Sequence, residues 1–136
     1  MGKLFLEIVT PEKVLVSQEV DTVVAPGTQG EFGVLPSHIS FLSGIVPGEL
    51  RYESGAEKES MAVTTGFAEV FNDKVSILVD AAEKAPNIDI ERAQGAMERA
   101  QERLVKGRGA EDIDFSRAEA ALKRAILRIK VAEKFK

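Results

Sequence analysis

The sequence runs to 136 residues, carries a net charge of −4 and contains no cysteine. That length holds one compact core with at most a small appendage, and the missing cysteine excludes disulfides, thiolate nucleophiles and Cys-ligated zinc. The opening "MGKLFLEIVT" reaches Glu7 too soon for a signal peptide or membrane span, and Leu6 stands where N-myristoylation needs Ser or Thr, so no direct membrane insertion is expected.

In chain order, Leu4 to about Ala82 reads as short strands broken by turn chemistry. "LFLEIVT" precedes Pro11, "VDTVVA" precedes Pro26-Gly27, "GELRYE" precedes Ser54-Gly55, and "FAEVF" and "VSILVDA" are joined across Asn72-Asp73. Alternation predicts one shared face for Leu50 and Tyr52, and one for Val75, Ile77 and Val79. Many short strands at regular spacing imply a β-sandwich or barrel.

Within this region "VVAPGTQGEFGVLPSHISFL" holds Gly27, Gly30 and Gly33 three residues apart, and the only histidine, His38. A phosphate loop or dinucleotide fingerprint needs a helix N-terminus, whereas Gly33 leads into Val34-Leu35-Pro36. The glycines are therefore assigned to tight turns and close backbone approach at a sheet edge. His38 lacks a triad around it, and a single histidine makes a poor transition-metal site, so no catalytic residue and no metal are expected. Hydrogen bonding at a turn or interface is the simpler role.

After "EKAPN" the period changes. Ile90, Ala93, Met97, Ala100 and Leu104 recur at 3-4-3-4 spacing, as do Phe115, Ala118, Leu122, Ala125, Ile129 and Ala132, which predicts two amphipathic helices. "KGRG" suits a left-handed cap on the first; Asp114 or Ser116 starts the second, Ser116 with Glu119 as a capping box. So short a connection predicts an antiparallel hairpin, and its alanine seam buries little apolar area, so it opens at low cost. The expected domains are residues 1–86 and 87–136. The first carries 13 acidic and 6 basic residues; Phe115 to Lys136 carries 7 basic and 2 acidic. A basic end on an acidic body fits an acidic protein partner, and with few aromatics nearby it gives no support to nucleic-acid binding.

Heptad numbering with Ile90, Met97 and Leu104 at position a places Arg92 and Arg99 at c, on one flank of the first helix; with Phe115, Leu122 and Ile129 at a, Arg117 and Arg124 fall at c and Arg128 at g. Arg92 and Arg128 lie 18 residues either side of a turn centred near Ala110, so they should be level. Arg92, Arg99, Arg124 and Arg128 can converge with Asp89 near the open end. Two readings stand: a solvated flank with pairs such as Glu119-Lys123, or a polyphosphate site built from bidentate guanidiniums.

"GTQGEFGVLPSH", "VPGEL", "GFAEVFNDKVSILVDAAEKA" and "IDIERA", in this order over nearly the whole chain, resemble the epsilon-subunit family of the bacterial rotary, proton-translocating ATP synthases, called delta in mitochondria. Ser37 departs from the family by replacing a usual glycine, and Ser40 and Phe41 replace a usual Pro-Leu. The resemblance implies a β-sandwich of about ten strands followed by an α-helical hairpin. It implies a non-catalytic rotor part on the cytoplasmic face of the inner membrane. There the sandwich would sit on the gamma subunit, and Gly30, Glu31, Phe32, Gly33 and His38 would face gamma and the c-subunit ring.

It further implies that the hairpin regulates. Extended, its second helix would meet the alpha and beta subunits through Lys123, Arg124, Arg128, Lys130 and Lys134 and inhibit ATP hydrolysis. Folded, it would bind ATP as a regulatory ligand, with no required cofactor. The implied ATP set is Glu83, Asp89, Arg92, Ala93, Arg99, Arg124 and Arg128, which overlaps the arginines that spacing brings together. Two other classes compete: a free-standing nucleotide-sensing protein, which would not co-purify with gamma and the c-ring, and an enzyme using the Gly30 to His38 loop, which would show turnover alone.

Overall fold

The computed structural model describes residues 3–106 and 115–134 and separates into two units, Met1–Lys84 and Ala85–Lys136. The division falls just ahead of the boundary expected from sequence.

The first unit is built from β1 (Leu4–Val9), β2 (Val14–Val20), β3 (Thr22–Gly27), β4 (Gly30–Val34), β5 (Phe41–Ile45), β6 (Gly48–Ser54), β7 (Glu57–Val63), β8 (Gly66–Phe71), β9 (Lys74–Val79) and β10 (Ala82–Lys84). Their order is β10-β7-β6-β3-β5-β8-β9-β1-β2, with β4 on β3 alone. The pairings are antiparallel except for β1 on β9, which runs parallel from Phe5↔Lys74 to Val9↔Leu78. β2 returns to meet β6, where Ser54 Oγ donates to the Glu19 carbonyl at 3.2 Å. The sheet thus folds over itself as a β-sandwich.

Alternation decides which side chains make its core. Leu4, Leu6 and Ile8 of β1, Leu50 and Tyr52 of β6, and Val75, Ile77 and Val79 of β9 are buried together with Val23, Ala25, Met61 and Val70. The predicted in-facing residues of "ELRYE" and "VSILVD" are therefore on the core side. Each Leu, Ile, Val or Met among them stabilises the unit by about 1.5–3 kcal/mol relative to exposure.

Turns use the residues that left-handed backbone demands. Asn72 and Asp73 join β8 to β9 with φ of 48° and 60°, the twist that suits a two-residue hairpin. Between β6 and β7, Gly55 has φ 64° and its N–H donates to Asp21 Oδ2 at 2.7 Å.

The second unit opens with a 3-10 turn, Ala85–Asn87, followed by α1 (Ile90–Lys106) and α2 (Phe115–Glu133), an antiparallel helical hairpin. The α1 start follows from local chemistry. Asp89 Oδ1 accepts the Arg92 N–H at 3.1 Å and the Asp89 carbonyl accepts the Ala93 N–H at 3.0 Å, so Asp89 is the N-cap. Ala93, Ala100, Ala118, Ala125 and Ala132 are all buried, which is the alanine seam expected from the 3-4-3-4 pattern. Val131 is also buried, at a position that pattern left out. Because α2 begins at Phe115, Ser116 lies inside the helix and cannot be its cap. The Asp114 cap, the "KGRG" cap beyond Lys106, the turn near Ala110 and the Phe115 side chain lie outside the described residues.

Candidate functional site

Two groups of residues were singled out in the sequence, one in each unit. In the first unit, β4 is an edge strand, and its hairpin with β3 closes on the pair Gly27↔Gly30. Gly30 has φ 110°, and a Cβ on Gly27 would sit 2.8 Å from the Phe32 ring, so these two glycines serve a turn and a close approach. Gly33 does neither: a Cβ there would meet nothing nearer than Val24 at 3.9 Å.

Strand alternation splits the expected interface set. Phe32 turns toward the core and meets the Phe41 ring edge-on at 5.1 Å. Glu31 and Gly33 share the outer face. Both Glu31 carboxylate oxygens accept from Arg51, at 3.1 and 3.3 Å. Arg51 Nη1 also donates to Glu49 at 3.1 Å, and the other Glu49 oxygen accepts from the Ser60 hydroxyl at 2.6 Å. The hydrogen bonds that Arg51 donates to Glu31, then to Glu49, hold its guanidinium even more firmly protonated than usual. Sequence reasoning missed Arg51. The available signal was that it is the only arginine in residues 1–86.

His38 lies in the loop after β4, beyond the strand end opposite to Glu31. Its Nδ1 lies 2.7 Å from the Ile39 carbonyl, its backbone N–H donates to the Leu35 carbonyl at 3.2 Å, and its ring stacks edge-on with Phe41 at 5.9 Å. This is a histidine bonded into a turn. Ser37 beside it has φ 70°, and its N–H donates to Asp73 Oδ1 at 2.6 Å. The left-handed backbone there accounts for the glycine usual in the resembled family.

In the second unit, Asp89, Arg92, Ala93, Arg99, Arg124 and Arg128 belong to the hairpin, whereas Glu83, half-buried in β10 opposite Ala62, belongs to the first. Local structure absorbs most of the "IDIERA" motif. Ile88 is buried, Asp89 caps the helix and Ala93 lies in the seam, which leaves Arg92 exposed with its side chain uncommitted to the helix start. α1 packs along α2, which carries Arg124 at its middle and Arg128 further on, and the 3-10 turn ahead of α1 also touches α2. Arg99 and Arg124 are exposed and Arg128 half-exposed. Sequence reasoning missed Gly95. A Cβ there would lie 3.3 Å from Arg99 Nη1, so the Arg99 guanidinium folds back over it, one turn toward Arg92. A glycine inside a helix, at a cost of about 0.5–1 kcal/mol relative to alanine, was the signal. On α2, Lys123 pairs with Glu119 at 3.5 Å and Lys130 is exposed, as is Lys134 just past the helix end.

Against known proteins, residues 3–85 match the family model described as ATP synthase, Delta/Epsilon chain, beta-sandwich domain. Residues 87–133 match the long alpha-helix domain of the same chain. A curated relative, the "ATP synthase epsilon chain" of Syntrophobacter fumaroxidans, is 54% identical over 132 residues, 97% of each chain. Among solved structures, a chain of the Euglena gracilis mitochondrial ATP synthase, determined as an OSCP/F1/c-ring assembly, superposes with a TM-score of 0.70 at 24% identity, covering 98% of this chain and 79% of that one. A chain from the central stalk/c-ring structure of the Tetrahymena thermophila mitochondrial enzyme gives a TM-score of 0.61 at 16% identity, covering 98% and 96%. These two structural likenesses bear on the fold alone.

Proposed function

The chain belongs to the ATP synthase delta/epsilon family, and from that premise we propose that it takes the epsilon place in the central stalk, coupling rotation of the catalytic head to the c-ring and restraining ATP hydrolysis through its helical hairpin. It is a non-catalytic, accessory subunit of the complex. What carries the reading is that one sandwich domain and one helix domain of a single family account for residues 3–85 and 87–133.

In this reading the sandwich binds gamma, and the outer face of β4, with Glu31, meets the polar loops of the c-ring. Among the described residues no helix is long and apolar enough to cross a membrane, so attachment would be peripheral, through the complex, on the cytoplasmic face of a bacterial inner membrane. The hairpin would open and set Lys123, Arg124, Arg128, Lys130 and Lys134 against acidic segments of alpha and beta. Two features support this: the net +5 of the final 22 residues and a seam made largely of alanine.

ATP would hold the hairpin folded. Supporting this is the exposed Arg92, left over once the rest of its motif has been used to start α1, together with Arg99 folded back toward it. A triphosphate spanning Arg92, Arg99, Arg124 and Arg128 would stabilise the closed form by RT ln(1 + [L]/Kd). Calorimetry with ATP tests this. Arg92→Ala and Arg128→Ala should each weaken binding at least ~10-fold, whereas Arg117→Ala, near the turn end, should not. No binding by the wild type, or equal loss in all three variants, overturns it. Co-purification with gamma and the c-ring tests the placement in the stalk, and isolation of a free chain overturns that.

A further inference from the structure

The chain of contacts on the outer face of β4, β3, β6 and β7 has one exposed end and one buried end. At the buried end Ser60 is 4% exposed and its hydroxyl donates to Glu49 at 2.6 Å; the Glu49 side chain is itself only 13% exposed. At the other end the Glu31 side chain is 53% exposed on a strand with a single neighbour. Arg51 spans the two. It engages one Glu49 oxygen with Nη1, and both Glu31 oxygens with Nη1 and Nη2.

Geometry makes that reach possible. Arg51 pairs with Val24 on β3, and Val24 pairs with Gly33 on β4. With no side chain at Gly33, nothing on β4 stands between the Arg51 stem and Glu31. A planar guanidinium can satisfy two carboxylates at once, which a lysine ammonium does less well. The only arginine of residues 1–86 stands at this point, although five lysines occupy that same stretch.

We propose that Arg51 is a positioning residue for the rotor contact: anchored through Glu49 and Ser60, it fixes the Glu31 carboxylate in one orientation, so that a cationic or amide side chain on a partner's polar loop meets an ordered anion. The Glu31 side chain stays 53% exposed beside its Arg51 contacts, so a further positive group can reach its carboxylate without first breaking them. The inference rests on the reading of Glu31 as the c-ring contact.

The test is a double-mutant cycle. Full-length Glu31→Gln, Arg51→Gln and the double variant are titrated onto enzyme depleted of this subunit, with gamma and the c-ring in place, and each isolated chain is melted in parallel. Each single change should weaken the apparent Kd by about threefold, the scale of one partly exposed ion pair, and the double variant should be no weaker than either. Arg51→Lys, which keeps the charge but loses the fork, should recover only part of the loss, and it covers the case in which Arg51→Gln unsettles the sheet. Additive losses, or a loss in Glu31→Gln with none in Arg51→Gln, overturn the positioning role and leave the Glu31 contact standing. No loss in Glu31→Gln removes both.

Discussion

Asp89 Oδ1 accepts the Arg92 backbone N–H at 3.1 Å, so the residue that fixes the start of α1 also fixes where the Arg92 side chain leaves it. An anion beside a triphosphate repels it, so in the proposed ATP site the Asp89 carboxylate would act on the phosphates through this cap and not by direct contact. Asp89→Ala should cost about 1 kcal/mol of hairpin stability and weaken ATP binding along with it. Asp89→Asn keeps a capping oxygen and should retain both. Thermal melts and ATP titrations of the two variants decide the point, and tenfold weaker binding by Asp89→Asn would instead mean a direct contact between the carboxylate and the ligand.

Removal of residues 115–136 should raise ATP hydrolysis by the assembled enzyme while leaving assembly intact. The expected force is electrostatic, acting over a screening length of about 8 Å at physiological ionic strength. Added salt should therefore relieve inhibition in the wild type and change little in the truncated form. A steady-state ATPase assay across salt concentrations checks both, and equal rates for the two proteins would remove the brake from the account.

The glycines should separate sharply on substitution. A Cβ on Gly66 would land on the Leu78 carbonyl, which as backbone cannot move aside, and one on Gly27 would crowd the Phe32 ring and the Gly30 carbonyl. Gly66→Ala and Gly27→Ala should lose about 1–3 kcal/mol or more. Gly33→Ala, whose Cβ would make only ordinary van der Waals contact with Val24 at 3.9 Å, should stay within about 0.5 kcal/mol in the isolated chain. Any loss of rotor binding by Gly33→Ala then reports on the interface, and denaturant titration supplies the control.

Acid should act on Asp21. Its carboxylate accepts the Gly55 N–H and pairs with Lys3 at 3.0 Å; the backbone hydrogen bond, then Lys3, lower its pKa below the ordinary 3.8. A depressed carboxylate contributes stability that is present above the ordinary value and lost as pH falls through the depressed one. The stability gap between wild type and Asp21→Ala should therefore be constant from neutral pH down to the ordinary carboxylate range and close below it. A gap that persisted unchanged at the lowest pH would deny the ionised form its role.

What could be read in advance was what is local. Alternation put Leu50, Tyr52, Val75, Ile77 and Val79 inside, and the 3-4-3-4 spacing found both helices, because each pattern is set by neighbours on one element. Asp89 was noticed as part of a motif, but its capping role became visible only with the helix in place. Pairings between distant strands left no comparable trace. Arg51 meets Glu31 across β3, and Asp73 bonds to Ser37 from a different hairpin, so each partner looks like an ordinary surface residue in its own segment. "GEFG" reads as one block in sequence, whereas a strand sends alternate residues to opposite faces, so Phe32 packs against the core while Glu31 faces outward.

The parallel pairing of β1 with β9 joins residues nearly seventy positions apart in a unit of 84. Loop closure on that scale must precede any gain from the contact, so the sandwich belongs among slow folders, in the millisecond to second range. A ribosome must release β9 before β1 has its second neighbour. Until then β1 and β8 each present an open edge rich in Leu, Ile, Val and Phe, the kind of surface on which nascent chains associate with one another. The helical hairpin, whose contacts are short-range, gains its shape only after the slower unit has left the exit tunnel, which makes synthesis of this chain most exposed to aggregation in its first two thirds.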